Sequence, residues 1–293
     1  AADTPLGLDY TITEFPFFSF LFADLHPHLM ALPFVLINLG LCQEIVSSSA
    51  SMGWAWLKRN WPKLLVFALC LGSLGFINTW DLPTYGFLFI LAASIAAYWG
   101  RGRMGRKLLT DVAVFAAALL GFALLLYLPF YLGFQSQVSG ISLVGDIDTR
   151  PFHFVLIWGL FLFVAISFLI AQAWKTLRKG NLNAGEVFWA LLLPLIPLAG
   201  WSVGELAVGA SLGQSSLSVL SKLWHILPLL AILSLALLVI IKKAQNIGRL
   251  RDEEGKACLF ALLLLFVGFL LTMGCELFFI RDLFGIRMNT VFK

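Results

Sequence analysis

"RPFHFVLIWGLFLFVAISFLIAQAWKTLRKG", residues 150–180, decides the fold class. Residues 151–174 contain no Asp, Glu, Lys or Arg, and the run is closed by Lys175, Arg178 and Lys179. A bilayer crossing needs roughly 20 predominantly apolar residues, so 152–174 is predicted to be a membrane-spanning helix with one basic end. The pattern recurs along the chain. Of 293 residues, 60% are hydrophobic and 12% charged, with a mean hydropathy of +0.92. Soluble domains run at about 25% charged. The chain therefore reads as an integral membrane protein, an all-α polytopic helix bundle.

Eight spans are predicted, at 29–48, 63–79, 83–99, 108–133, 152–174, 187–206, 218–241 and 257–280. The second is the shortest, bracketed by Trp61 and Trp80 at interface depth. Residues 1–28 form a loop with an interfacial, Phe-rich piece (15–22), and 281–293 form the loop after the last span. The whole of 1–293 reads as one transmembrane segment, expected to be cut from a longer membrane protein because "RMNTVFK" has no helix-end signal.

Charge sets the orientation. Fifteen of the 20 basic residues fall in alternate loops, from Lys58 and Arg59 to Arg251 and Lys256. The positive-inside rule puts those loops in the cytoplasm, so residues 1–28 and the C-terminal end are expected on the extracytoplasmic side of the plasma membrane. Ten of the 16 carboxylates and all four histidines map to that outer side. The basic surplus is what topology requires, so the net charge of +4 gives no support to nucleic-acid binding. The four cysteines form no CxxC pair and read as small apolar residues. The chain has no P-loop, HExxH or GxSxG motif.

The outer acids cluster in short motifs. "FLFADLHPHLMALPF" (20–34) sets Asp24, His26 and His28 around Pro27, and a proline is tolerated in the first turn of a helix. With an extended lead-in, Asp24, His26 and His28 share one side and could converge above a helix N-terminus, a place that favours phosphate. Such a set could act as a general base or hold a divalent metal. Mn, Zn or Fe suit it better than Mg, which prefers oxygen ligands. Upstream, Glu14 could return to the same neighbourhood. The bland alternative is a polar cap at the membrane surface.

"FINTWDLPTYGF" (76–87) is a short hairpin carrying Asn78 and Asp81, again just before a proline that opens an inward-running helix. Asp81 could be a simple cap, yet it shares face and depth with Asp24. The loop 135–154 reads as a mobile flap or a solvated connection. The ending, "GCELFFIRDLFGIRMNTVFK", offers Arg281, Asp282, Arg287 and Asn289. Arg281 and Asp282 could pair, and Arg287 could bind a phosphate bidentately.

Three stretches, "TEFPFFSFLFADLHPHLMALPF" (13–34), "NTWDLPTYGFL" (78–88) and "RDLFGIRMNTVFK" (281–293), resemble the YYY-domain family of uncharacterised multi-spanning membrane proteins. That family looks similar to the integral-membrane glycosyltransferases of the protein mannosyltransferase type, also called GT-C. The resemblance implies a polyprenyl-phosphate sugar donor and an essential carboxylate in the first outer loop, which Asp24 matches. Those enzymes show a pair of acids where this chain has Asp-x-His-x-His.

The leading expectation is thus a lipid-linked glycosyltransferase. Asp24, His26, His28 and Glu14 would be catalytic, and Asn78, Asp81, Arg281, Asp282, Arg287 and Asn289 would bind substrate. Membrane lipids and the polyprenyl-phosphate sugar would be its partners. A transporter or flippase, and a non-catalytic scaffold, are the competing readings.

Overall fold

The computed structural model describes residues 20–21, 26–48, 50–102, 104–135, 138, 140–144, 149–178, 182–212, 217–247 and 253–281. In lipid every backbone N–H and C=O must be satisfied within the chain, which leaves helices as the economical solution. Ten helices are described: α1 (Pro27–Ser48), α2 (Trp54–Arg59), α3 (Trp61–Ile77), α4 (Asp81–Arg101), α5 (Arg106–Leu126), α6 (Leu128–Gly133), α7 (Pro151–Leu177), α8 (Ala184–Leu212), α9 (Leu217–Ile247) and α10 (Glu253–Leu277). Seven are long and apolar enough to cross a bilayer. The remaining predicted span, the second (63–79), is α3, whose 17 residues give about 26 Å at 1.5 Å per residue. Its Trp61 flank and the following Trp80 are both exposed, as suits aromatic side chains at the membrane interface.

Local chemistry sets the ends. Pro62, Pro129 and Pro151 stand in the first turns of α3, α6 and α7, where a missing N–H costs nothing. Gly102 closes α4 with φ +70°, its N–H bonding the Tyr98 carbonyl at 2.7 Å. That left-handed closure suits a residue without Cβ. The prediction of one span over 108–133 is corrected: the helix breaks at Tyr127, two residues before Pro129, into α5 and α6.

The helices form two groups. In the first, α3 lies closely on α5, and α1 packs on α3 and α4. In the second, α9 packs on α7, α8 and α10. Contacts of α10 with α1 and α4 join the groups, around a core that includes Phe67, Phe89, Phe115, Leu233 and Leu262. α7 packs chiefly on α9, and its Leu156, Leu160 and Phe163 are more than 70% exposed.

The loop 135–154 was expected to be a flap or a solvated connection, and the last span was expected to reach 280. Both expectations are corrected. Helix α10 stops at Leu277, and β2 (Phe278–Arg281) pairs antiparallel with β1 (Gly140–Leu143), Gly140 opposite Arg281. The ribbon is anchored below by Val144 N–H to the Leu277 carbonyl at 2.9 Å and by Trp201 Nε1–H to the Val144 carbonyl at 3.0 Å. Thr149 adds a second tie, donating its N–H to Glu276 Oε2 at 3.3 Å and its hydroxyl to Glu276 Oε1. "GISL" and "FFIR", four residues each, are too short to announce strands against an apolar background.

Candidate functional site

Two helices begin side by side on the face that is poor in Lys and Arg. Helix α1 starts at Pro27, as the proline predicts, and the His26 carbonyl accepts the N–H groups of Leu29 and Met30, both at 3.0 Å. His28 is therefore helical, and the expected extended alternation of His26 and His28 is corrected. The helical turn still brings the two rings together, centroids 5.2 Å apart and edge to face at 79°. Both side chains are half-buried. Buried His28 Nε2 has no hydrogen-bond partner among the described residues.

The hairpin between α3 and α4 faces this pair. Asn78 terminates α3 in an extended conformation, its N–H bonding the Leu74 carbonyl at 2.7 Å, and its own carbonyl accepts Asp81 N–H at 2.9 Å. Thr79 donates its hydroxyl to the Gly75 carbonyl at 3.1 Å. Asp81 is the first residue of α4, and the preceding Trp80 makes no side-chain cap bond, so the simple cap reading of Asp81 is not what forms. Its half-buried carboxylate lies near the Asn78 side chain and within electrostatic range of the His28 imidazole. Two helix N-termini add partial positive charge at the same place.

One residue of this neighbourhood escaped sequence reasoning. Short helix α6 carries the Tyr131 hydroxyl to Gly75, one turn below Asn78, so closely that a Cβ at Gly75 would run into it. The hydroxyl is buried and has no hydrogen-bond partner among the described residues. Nothing in "YLPFYLGF" separates this tyrosine from its aromatic neighbours.

The structure thus joins His26, His28, Asn78 and Asp81. It places Arg281 on the ribbon, exposed at the end of β2. Glu14, Asp24, Asp282, Arg287 and Asn289 lie outside the described residues. Among the described residues no group of three His, Cys, Asp or Glu side chains is arranged to hold a metal ion. What the group can do is acid–base work: a carboxylate near an imidazole with an open nitrogen can accept or pass a proton.

The opposite, basic face carries stapling pairs. Lys63 pairs with Glu44, and Arg101 with Asp111, with Ser51 donating to Asp111 at 2.7 Å and accepting from Arg101 Nε at 3.0 Å. Lys242 meets Glu186 at 2.5 Å, and Lys256 bonds Glu253 at 2.8 Å and the Ser47 carbonyl at 3.0 Å. Trp99 Nε1–H reaches the Ala244 carbonyl at 2.7 Å. These bonds close the bundle where the positive-inside rule expects the cytoplasm.

Fold and faces define a polytopic α-helical membrane protein with its polar chemistry gathered at one rim. The chain belongs to the family described as uncharacterized membrane protein (DUF2298), whose family model matches residues 6–293. The expected kind of family, uncharacterised and multi-spanning, is the one found. The match supplies neither the YYY-domain label nor a likeness to glycosyltransferases. No curated protein and no solved structure matches the chain.

Proposed function

We propose that the protein is a membrane-embedded glycosyltransferase that takes its sugar from a polyprenyl-phosphate donor at the rim formed by the N-termini of α1 and α4, on the extracytoplasmic face. The supporting observation is the open, buried Nε2 of His28 within electrostatic range of the Asp81 carboxylate at the same rim. In the reaction, an acceptor hydroxyl oxygen bonds to the anomeric carbon, its proton passes to a protein base, and the bond from sugar to lipid phosphate breaks. Asp24 is the base or a metal ligand, with His26 and His28 beside it; Glu14 and Asp81 orient acceptor and sugar. Arg281, Arg287 and the helix N-terminus at Pro27 hold the departing phosphate. A divalent metal (Mn, Zn or Mg) at Asp24, His26 and His28 belongs to the same proposal, since an open imidazole nitrogen suits a metal as well as a proton.

The stapled basic face supports an enzyme over a transporter, because alternating access needs a path to both sides. Among the described residues the buried lysines, Lys222, Lys242 and Lys256, sit toward helix ends, and none marks an ion path at the midplane. The test is transfer of labelled sugar from a polyprenyl-phosphate donor by the protein in sealed vesicles. Asp24→Asn and Asp81→Asn should each lower transfer about 10²-fold or more with the unfolding temperature unchanged. Donor that crosses the vesicle wall with its sugar–phosphate bond intact would overturn the proposal.

A further inference from the structure

A groove of about 440 Å³ opens between α7 and α9 on the side of the bundle that faces lipid. Ile170, Ala173, Trp174 and Leu177 line it from α7, and Leu235 lines it from α9. Arg178, the residue that ends α7, is its one charged lining residue. From Ile170 to Arg178 the groove follows two turns of helix, about 12 Å at 1.5 Å per residue. It starts at the basic face and runs toward the membrane midplane. The Arg178 guanidinium lies 5.6 Å from the centroid of the exposed Trp174 ring, a cation–π contact that keeps it beside the groove.

Charge tells what fills this space. On the basic face Lys63, Arg101, Lys242 and Lys256 are paired with Glu44, Asp111, Glu186 and Glu253, whereas Lys58, Arg59, Arg106, Lys107 and Lys243 are in no ion pair among the described residues. It is therefore an unpaired charge beside an apolar groove, and not the charge alone, that singles out the end of α7. Lys175 and Arg178, a turn apart at the end of α7, have no carboxylate partner among the described residues. An apolar groove that ends beside an uncompensated arginine on the basic face is complementary to an anionic lipid. Basic pockets between spans on the cytoplasmic side favour such headgroups. We infer that this groove binds an anionic glycerophospholipid of the cytoplasmic leaflet, one acyl chain along Ile170, Ala173 and Leu235 and the phosphate on Arg178. Trp174 is the wall between chain and headgroup. This site is separate from the proposed transferase rim and does not depend on it.

The test uses the intact protein in phosphatidylcholine bilayers containing brominated phosphatidylglycerol or brominated phosphatidylcholine. Subtracting the fluorescence of a Trp174→Phe variant isolates Trp174 from the other nine tryptophans. The expected result is an apparent affinity about fivefold higher for the anionic lipid, the size expected for one arginine at a lipid surface, and loss of that preference in Arg178→Gln. Equal quenching by both lipids in the unaltered chain overturns the inference without recourse to the variant. No quenching by either would mean that protein covers the groove, a second copy or a further helix, and overturns it too.

Discussion

At the scale of single residues, the informative groups are polar atoms that the bundle buries and leaves open. His28 Nε2 and Tyr131 Oη are two of them, and both adjoin the Asn78–Asp81 hairpin. Asn38 is different. It is fully buried on α1 and donates its amide to the Phe34 carbonyl at 2.8 Å and to the Cys70 carbonyl of α3 at 2.9 Å. That second bond ties two spans together inside the bilayer, where such bonds contribute about 0.6 kcal/mol on average and about 1.7 at most. Asn38→Leu is expected to lower stability by that amount, read as a fall in the thermal unfolding midpoint in detergent, with no effect on the rim. Sequence reading finds His26, His28 and Asp81 because prolines mark where their helices start and place them at one depth. It misses Asn38 and Tyr131 because their meaning depends on which helix lies opposite.

At the scale of elements, the closest packing is between α3 and α5. Gly72 lets the two backbones approach, since an added Cβ would lie 2.7 Å from the Ala123 carbonyl oxygen and against the Tyr127 ring. A backbone oxygen cannot step aside, so Gly72→Ala should cost about 1–3 kcal/mol by overpacking. Gly121, in the same α5, has open space around its Cα, and Gly121→Ala should leave the midpoint unchanged or slightly raised. Thermal unfolding of the two variants side by side checks the contrast. The ribbon makes its own prediction. Removing the Glu276 carboxylate with Glu276→Ala frees Thr149, and amide exchange in 140–144 should quicken while that in α1 to α5 does not. Helix spans were legible because each is a long apolar run between charged or aromatic ends. The ribbon was not, because four-residue strands acquire their pairing only from α10 and α8, which are distant in sequence.

At the scale of the molecule, the division into a basic face and an acidic face was legible from charge alone. The structure adds what charge counting cannot: among the described residues, three basic side chains of the face tie helices together through carboxylates, Lys63 to Glu44, Arg101 to Asp111 and Lys242 to Glu186. The sidedness can be checked with single cysteines in a background where the four native ones are replaced. Cysteine at Gly140 should label only from the extracytoplasmic side, and cysteine at Gly102 only from the cytoplasmic side. The account turns most on whether His28 and Asp81 work as one group. The deciding measurement is sugar transfer from a polyprenyl-phosphate donor by the reconstituted protein, its His28→Gln and Asp81→Asn variants, and the double variant. Residues acting on one step give strongly non-additive losses, so the double variant should be no worse than the poorer single one. Transfer absent from the unaltered protein, retained in both variants, or lost multiplicatively in the double variant would contradict it.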